Sequence, residues 1–146
     1  MPDATAEIAL LRKSGLRSTP QRVAIVREVI SRSHPTVGEV YESVRRQFPT
    51  IGLATVYNTL RTMTARGLVS ELPFSSAVRF DANMTPHANL VCRNCGRIED
   101  VEFGPEHLET VLRHLVVAAG FAPDGQRFDV YGVCRNCAVS ATATTE

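Results

Sequence analysis

The sequence predicts an α+β chain in two parts, a mainly helical first part and a smaller α/β second part. Three observations support this prediction. Apolar residues recur at helical spacing through most of residues 5–66, whereas they alternate at strand spacing in several short segments after residue 67. Lys and Arg outnumber Asp and Glu by eleven to seven through residue 82, but are outnumbered by eight to five from residue 83 onward. All four cysteines lie in the second part.

Length and composition favour one domain or two small ones, because the chain has 146 residues of which 44% are apolar. No apolar run approaches the ~18 residues of a membrane span, and the N-terminus lacks the pattern of a signal peptide. We therefore expect a cytoplasmic protein with no membrane partner. A basic part followed by an acidic part fits a nucleic-acid module followed by a cation-binding module, although an uneven solvated surface would give the same balance.

Local signals predict two helices at the start of the chain. Residues 5–14 form a short amphipathic helix that Gly15 ends. Thr19 then serves as an N-cap, and Pro20 occupies the first helical position, where a missing N–H costs nothing. The second helix is expected to end near Arg32.

Two more helices and a hairpin complete the first part. Thr36 and Glu39 form a capping box that begins the third helix, and the fourth helix runs over 53–66. The extended segments LVSEL (68–72) and AVRFD (77–81) follow, around a Pro-Phe-Ser-Ser turn. Helices followed by a hairpin are typical of a winged helix-turn-helix, so residues 1–82 are predicted to form a DNA-binding domain.

The fourth helix is the predicted reading element. Thr55, Asn58 and Thr62 share a polar face that suits base edges and phosphates, although a merely solvated helix face would look similar. Basic residues before it would neutralise phosphates of double-stranded DNA. The predicted DNA contacts are Arg17, Arg22, Thr55, Tyr57, Asn58 and Arg61.

The second part is predicted to contain a hinge at 83–88, an α/β domain at 89–139 and a disordered tail at 140–146. Within the α/β domain we expect strands at 89–92, 96–103 and 127–133, and a helix at 105–119. A sheet this small exposes its edges and buries little surface, so pairing of two copies is expected.

The cysteines form two C-x-x-C pairs, a pattern that favours a four-thiolate zinc site in a chain without a signal peptide. A redox dithiol pair and free buried cysteines remain as alternatives. At the level of function, the corresponding alternatives are a zinc-containing hydrolase or thiol oxidoreductase and a zinc-ribbon interaction module. An all-cysteine set is closed, however, whereas catalytic zinc keeps an open position. The predicted zinc ligands are Cys92, Cys95, Cys134 and Cys137.

Harder donors are interleaved with the first cysteine pair. His87, Asn89 and Asp100 offer an imidazole, a carboxamide and a carboxylate within the same stretch of chain. Soft thiolates beside such donors indicate two metal sites of different character. His107 and His114 are seven residues apart on a predicted helix and are interpreted as surface or interface residues.

Several motifs together resemble the ferric-uptake-regulator family. They are LRSTPQR, the HPT before the third helix, ATVYNTLR, RFD, CxxCG and YGVCxxC, and they span about residues 10–138. The resemblance implies a homodimer with an N-terminal winged helix, an α/β dimerisation domain and a structural zinc. It also implies metal-controlled binding to an inverted-repeat DNA operator.

The same resemblance implies a regulatory site for Fe(II) or Mn(II) between the two domains. An ion held by both domains would fix their relative angle and hence the spacing of two recognition helices. Its implied ligands are His34, Asp81, His87, Asn89 and Asp100.

Within the family, the chain is most similar to the peroxide-sensing branch. Asp81 stands where iron-sensing members more often carry Glu, and Pro86, Ala88 and Gln126 replace the ligands of their additional metal site. No cysteine remains for a zinc-sensing site. The resemblance then implies that peroxide oxidises His34 or His87 through bound Fe(II). Regulation by iron or manganese supply without peroxide sensing is the alternative.

Asn89 departs from the family pattern, because the sibling position is commonly histidine. A carboxamide oxygen is a harder and weaker ligand than an imidazole. Whether Asn89 binds the metal or only donates hydrogen bonds nearby is therefore left open.

Overall fold

The computed structural model describes residues 4–73 and 77–143, and the chain divides into two units, Met1–Met84 and Thr85–Glu146. The first unit contains α1 (Thr5–Lys13), α2 (Pro20–Ser31), α3 (Val37–Gln47), α4 (Leu53–Ala65), β1 (Ser70–Leu72) and β2 (Arg79–Asp81). The second contains β3 (His87–Cys92), β4 (Ile98–Glu102), α5 (Pro105–Ala119), β5 (Phe128–Gly132) and α6 (Arg135–Ala143). The fold is thus mixed α and β, and none of the described helices is long and apolar enough to cross a membrane.

The helix caps predicted for the first unit are formed in the structure. The Thr19 hydroxyl accepts a hydrogen bond from the backbone N–H of Arg22 at 3.3 Å. Thr36 and Glu39 form the capping box reciprocally, with N···O distances of 3.1 and 3.0 Å. Each such cap stabilises a helix by about 1 kcal/mol. Gly67, at φ +71°, follows the C-cap of α4 in a conformation that favours glycine.

The hydrophobic core lies in the first unit. Apolar side chains from all four helices and from β2 contribute, and Glu7 of α1 pairs with Arg27 of α2 at 3.1 Å. β1 and β2 form an antiparallel hairpin, and the Phe80 N–H donates to the Pro35 carbonyl at 2.9 Å. The fully buried core residues include Leu11, Ile25, Val26, Val40, Val56 and Leu60.

The second unit contains a three-stranded sheet in the order β4-β3-β5. Along the chain, α5 lies between β4 and β5, and α6 follows β5. β3 pairs antiparallel with β4 and parallel with β5. No side chain of α5 is buried. Several of its apolar side chains are exposed, among them Leu115 at 61% and Val117 at 77%.

Several segments differ from their predicted bounds, and the largest differences lie at the hinge and at the C-terminal tail. β3 begins at His87, so the strand includes the last two residues of the predicted hinge. α6 extends to Ala143, so the disordered tail predicted from residue 140 is wrong for 140–143. α6 begins at Arg135, between the two cysteines of the second pair, and the alanine and serine residues after Cys137 are compatible with a helix. Residues 144–146 of that prediction, and 74–76 of the predicted turn, lie outside the described residues.

Candidate metal centres and nucleic-acid interface

The four cysteines meet in one cluster. Cys92 ends β3 and Cys95 follows it in a turn, whereas Cys134 follows β5 and Cys137 lies in the first turn of α6. All four sulfur atoms lie within 4.8 Å of one another, and Sγ of Cys95 and Sγ of Cys134 are 3.8 Å apart. Zn–S bonds of about 2.3 Å in a tetrahedron give S···S distances of about 3.8 Å. The residues present therefore fit a structural zinc ion.

Hydrogen bonds around the cluster favour thiolate at one of its members. The Cys134 N–H donates to Sγ of Cys92 at 3.2 Å, and this bond, with the N–H groups of Cys95 and Asn94, lowers the pKa of Cys92 to about 6. At Cys137 the Asn94 side chain lowers the pKa, but the three neighbouring cysteines raise it to about 12 overall. Four thiolates at this spacing would repel one another, so full deprotonation of the cluster requires a bound cation.

In the first unit, His34 and Asp81 form a buried pair. Nε2 of His34 lies 3.8 Å from Oδ2 of Asp81, and both side chains are less than one tenth exposed. This distance is too long for a hydrogen bond, but it fits two ligands that bind one ion at about 2.0–2.2 Å each. Nδ1 of His34 is hydrogen bonded to the hydroxyl of Ser33 at 3.0 Å.

The backbone at His34 is held in an unusual conformation. His34 has φ +52° and is the one non-glycine residue with positive φ in the described part of the chain. Such a conformation costs free energy and persists where surrounding contacts determine it. Here Nη1 of Arg79 donates to the His34 carbonyl at 2.9 Å. The backbones of Thr36 and Arg79 also pair in an isolated antiparallel β-bridge. These contacts bind the loop before α3 to β2, which ends at Asp81.

In the second unit, His87 and Asp100 form a matching pair. Nε2 of His87 lies 3.9 Å from Oδ1 of Asp100. Nδ1 of His87 lies 2.7 Å from the carbonyl oxygen of Thr85. Because a carbonyl only accepts, Nδ1 carries the hydrogen, and in the neutral ring the lone pair is on Nε2. This arrangement is typical of a metal-binding histidine.

Asn89 lies on the central strand β3, two residues after His87. The residue is only 1% exposed, and it pairs with Asp100 of the neighbouring strand β4. On the other side, its Nδ2 donates to Oδ1 of Asp129 on β5 at 3.0 Å. Its Oδ1 is buried and, among the described residues, has no hydrogen-bond partner. A buried acceptor without a donor is costly, and a cation would satisfy it. Asp129 was not among the predicted site residues.

The predicted DNA-reading face of α4 is partly exposed. Tyr57, Asn58 and Arg61 are exposed, with the guanidinium of Arg61 5.7 Å from the centre of the Tyr57 ring. Thr55 is half-buried. The hydroxyl of Thr62 donates to the carbonyl of Asn58 at 2.9 Å and is thus engaged by the helix itself.

The two predicted basic residues before α4 are neighbours. Arg17 is exposed, and the half-buried Arg22 donates from Nη1 to the Arg17 carbonyl at 3.3 Å. Both guanidinium groups remain candidates for phosphate contacts, because such contacts need cations close together on one surface.

A family model named "Ferric uptake regulator family" matches residues 13–131 of this chain. The chain belongs to the ferric uptake regulator family. The resemblance stated from the motifs is thereby confirmed.

Individual relatives and solved structures that resemble this chain are regulators of the same family. The peroxide-responsive repressor PerR of Staphylococcus epidermidis is 41% identical over 133 residues, which cover 89% of this chain and 87% of that protein. The Campylobacter jejuni peroxide stress regulator is 31% identical, with a TM-score of 0.74 over 89% of this chain and 98% of that one. The ferric uptake regulator from Pseudomonas aeruginosa with manganese is 29% identical, with a TM-score of 0.72 over 90% and 99%.

Membership of the ferric uptake regulator family decides between a transcriptional regulator and a zinc-containing enzyme. Its members are transcriptional repressors and not enzymes, so this chain is a metal-dependent regulator. The alternative of a zinc-containing thiol oxidoreductase is therefore wrong, and the relatives associate the chain with the response to peroxide stress.

Proposed function

We propose that this protein is a homodimeric repressor that binds an inverted-repeat operator when its regulatory site holds Fe(II) or Mn(II), and that peroxide releases it. One observation carries the proposal. A closed cluster of four thiols is separate from two histidine–carboxylate pairs, whose N···O distances of 3.8 and 3.9 Å fit shared ligation of an ion. The first arrangement suits a permanent zinc ion, and the second suits an exchangeable one.

The regulatory ion would be held by residues of both units. The first unit offers Nε2 of His34 and a carboxylate oxygen of Asp81. The second offers Nε2 of His87, Oδ1 of Asn89 and a carboxylate oxygen of Asp100. Binding one ion through both sets would couple the units, so the metal-loaded dimer would be the form that fits the operator.

DNA binding is proposed for the first unit, as a winged helix with α4 in the major groove and the β1–β2 hairpin against the phosphates. Tyr57, Asn58 and Arg61 of α4 would contact the operator, because they are exposed on the helix that follows α3. Arg17 and Arg22 would contribute phosphate contacts. A DNA regulator of this kind acts in the cytoplasm of a bacterium, where the chromosome lies.

Peroxide sensing is proposed at the two histidines. When bound, Fe(II) would supply the electrons that break the O–O bond of peroxide, so that one oxygen is transferred to a nearby ring and the other leaves as water. The imidazoles of His34 and His87 each have Nε2 directed to a carboxylate partner, so they are the rings exposed to that oxygen. An imidazole that has gained one oxygen loses its basic nitrogen, and the ligand set is then incomplete.

A second candidate function is a manganese- or iron-supply regulator without peroxide sensing. Asn89 favours it, because an amide oxygen replaces one of the imidazoles and suits Mn(II), which reacts poorly with peroxide.

The proposal is tested by selecting duplexes from a random DNA library with the zinc-containing, Mn(II)-loaded protein. An inverted repeat should emerge, and its affinity, measured by fluorescence anisotropy, should fall at least ten-fold when Mn(II) is removed with a mild chelator. Selection of no repeat, or binding that is indifferent to Mn(II), would contradict the proposal.

A further inference from the structure

Asn89 is flanked by two carboxylates on one face of the sheet. In the strand register it lies opposite Asp100 of β4 and beside Asp129 of β5. Residues that pair directly in neighbouring strands place their side chains on the same face. Asn89 therefore has an acidic neighbour on each side, although its own side chain has one donating and one accepting end.

The carboxylate of Asp129 determines which end of the amide faces it. A carboxylate only accepts hydrogen bonds, so the group next to it must be the amide nitrogen, as the 3.0 Å distance from Nδ2 to Oδ1 of Asp129 shows. The other oxygen of Asp129 accepts from Nε of Arg127 at 2.9 Å. Asp129 is thus held from a second side, and its position is fixed.

The consequence is that the amide oxygen of Asn89 is available to a ligand. It is buried, and no donor among the described residues reaches it. Its strand neighbour Asp100 pairs with His87 in the proposed regulatory site. An oxygen acceptor beside a carboxylate and an imidazole is a donor set for a cation.

We propose that Asp129 is a positioning residue that turns the amide oxygen of Asn89 toward the regulatory metal ion, and that this oxygen shifts the metal preference of the site toward Mn(II). The inference rests on the proposed function, since it assigns roles within that regulatory site. Imidazole suits Fe(II) and Zn(II), whereas carboxylate and carbonyl oxygens suit Mn(II). Arg127 supports the arrangement by holding Asp129.

The test measures Mn(II) and Fe(II) affinities of the zinc-containing full chain by anaerobic calorimetry, without DNA. Asp129→Ala should weaken Mn(II) binding by about ten-fold or more, the usual effect of losing a group that orients a ligand. Asp129→Glu keeps the acceptor and should restore most of the affinity. In an Asn89→Ala background, Asp129→Ala should have no further effect, because Asp129 acts through the amide.

Two further variants make the test specific. Asn89→His should raise the preference for Fe(II) over Mn(II) relative to the unchanged protein, a result that a purely structural role of Asn89 does not give. Co(II) in place of Mn(II) should show altered visible absorption bands in Asp129→Ala, since one oxygen donor is lost. If Asp129→Ala fails to retain zinc, Asn89→His and the exposed Arg127→Ala carry the test.

Unchanged Mn(II) affinity in Asp129→Ala, equal losses in the presence and absence of Asn89, or an unchanged metal preference in Asn89→His would overturn the inference. His87→Ala and Asp100→Ala distinguish this failure from that of the proposed function. If they abolish Mn(II) binding while the Asn89 and Asp129 variants do not, only the inference fails. If they too leave Mn(II) binding unchanged, the regulatory site itself is wrong.

Discussion

At the scale of single residues, the structure contains two sets of donors of different chemical character. The sulfur atoms of the four cysteines lie within 4.8 Å of one another and leave no open position for a substrate. The two histidine–carboxylate pairs combine nitrogen and oxygen donors, which in the proposed regulatory site would hold Fe(II) or Mn(II) weakly enough to exchange. A regulator needs both properties, a fixed fold and an ion that responds to supply.

Replacing a member of the cysteine cluster should remove the zinc ion. We expect Cys134→Ser to lose the zinc and to unfold the second unit, because binding energy at a structural zinc site is folding energy. Metal analysis and circular dichroism measure the two effects. Asn136→Ser, in the same C-x-x-C turn, is the matched control and should keep the zinc. A Cys134→Ser protein with full zinc content and unchanged spectrum would exclude the structural assignment.

Peroxide should modify particular histidines. In the Fe(II)-loaded protein, the peptides containing His34 or His87 should gain one oxygen, as measured by mass spectrometry. His107 and His114 provide an internal control, since both are exposed on α5 and belong to neither pair. Oxidation confined to the cysteines, or spread equally over all four histidines, would contradict the proposed sensing chemistry.

The sequence predicted the proposed ligands but not the environment in which the structure places them. His87 and Asp100 could be named from motif positions, and the cysteines from spacing alone. Asp129 was missed, because its role depends on the parallel pairing of β3 with β5, which joins residues 40 positions apart. Strand alternation places Asp129 on one face or the other, and only the register shows that its neighbour is Asn89.

At the scale of elements, α4 combines a packed face with an exposed one. Val56, Leu60 and Met63 recur at helical spacing and are buried in the core, so the orientation of the helix is fixed. Tyr57 and Arg61 are exposed one turn apart and stack on each other. A rigid helix that presents an aromatic ring and a guanidinium suits recognition of base edges and phosphates.

Removing the exposed side chains of α4 should weaken DNA binding. Arg61→Ala should cost about 1–3 kcal/mol of operator affinity if it contacts a base. Tyr57→Ala should also reduce affinity, and neither change should alter the metal content. Arg113→Ala, which removes a cation from the exposed surface of α5, is the control. Anisotropy titrations at one salt concentration measure the effect, and equal affinities for all three variants would exclude α4 from the interface.

The helices of the first unit were predicted more accurately than the strands, for a physical reason. The signals that begin and end helices are local, as Thr19, the Thr36–Glu39 box and Gly67 show. Strand lengths depend on partners elsewhere in the chain, so β1 and β2 are each three residues where five were predicted. Helical spacing alone does not determine burial: Ile30 follows the buried Val26 by four residues but is 47% exposed near the end of α2.

At the scale of the whole molecule, the two units differ in how well they stabilise themselves. The hydrophobic core belongs to the first unit, whereas the second buries few side chains within its described residues. Several apolar residues on β5 and α5 are exposed, and the outer edge of β5 has no neighbouring strand among the described residues. Exposed apolar surface and an open edge together favour association with a second copy.

A charge on β5 should therefore disrupt the proposed dimer. Val130 is 55% exposed, and Val130→Asp should shift the protein from dimer to monomer in light scattering, with zinc content unchanged. Val78→Asp introduces the same charge at an exposed valine of the first unit and should remain dimeric. Either a dimeric Val130→Asp protein or a monomeric unchanged protein would refute this part of the account.

The central claim is that the regulatory metal controls DNA binding and makes it sensitive to peroxide. The most direct test is anisotropy of the selected operator with the Fe(II)-loaded and the Mn(II)-loaded protein, each before and after addition of peroxide under otherwise anaerobic conditions. We predict that both forms bind the operator and that peroxide releases only the Fe(II) form. If peroxide releases neither form, or releases both equally, sensing through the bound metal is contradicted.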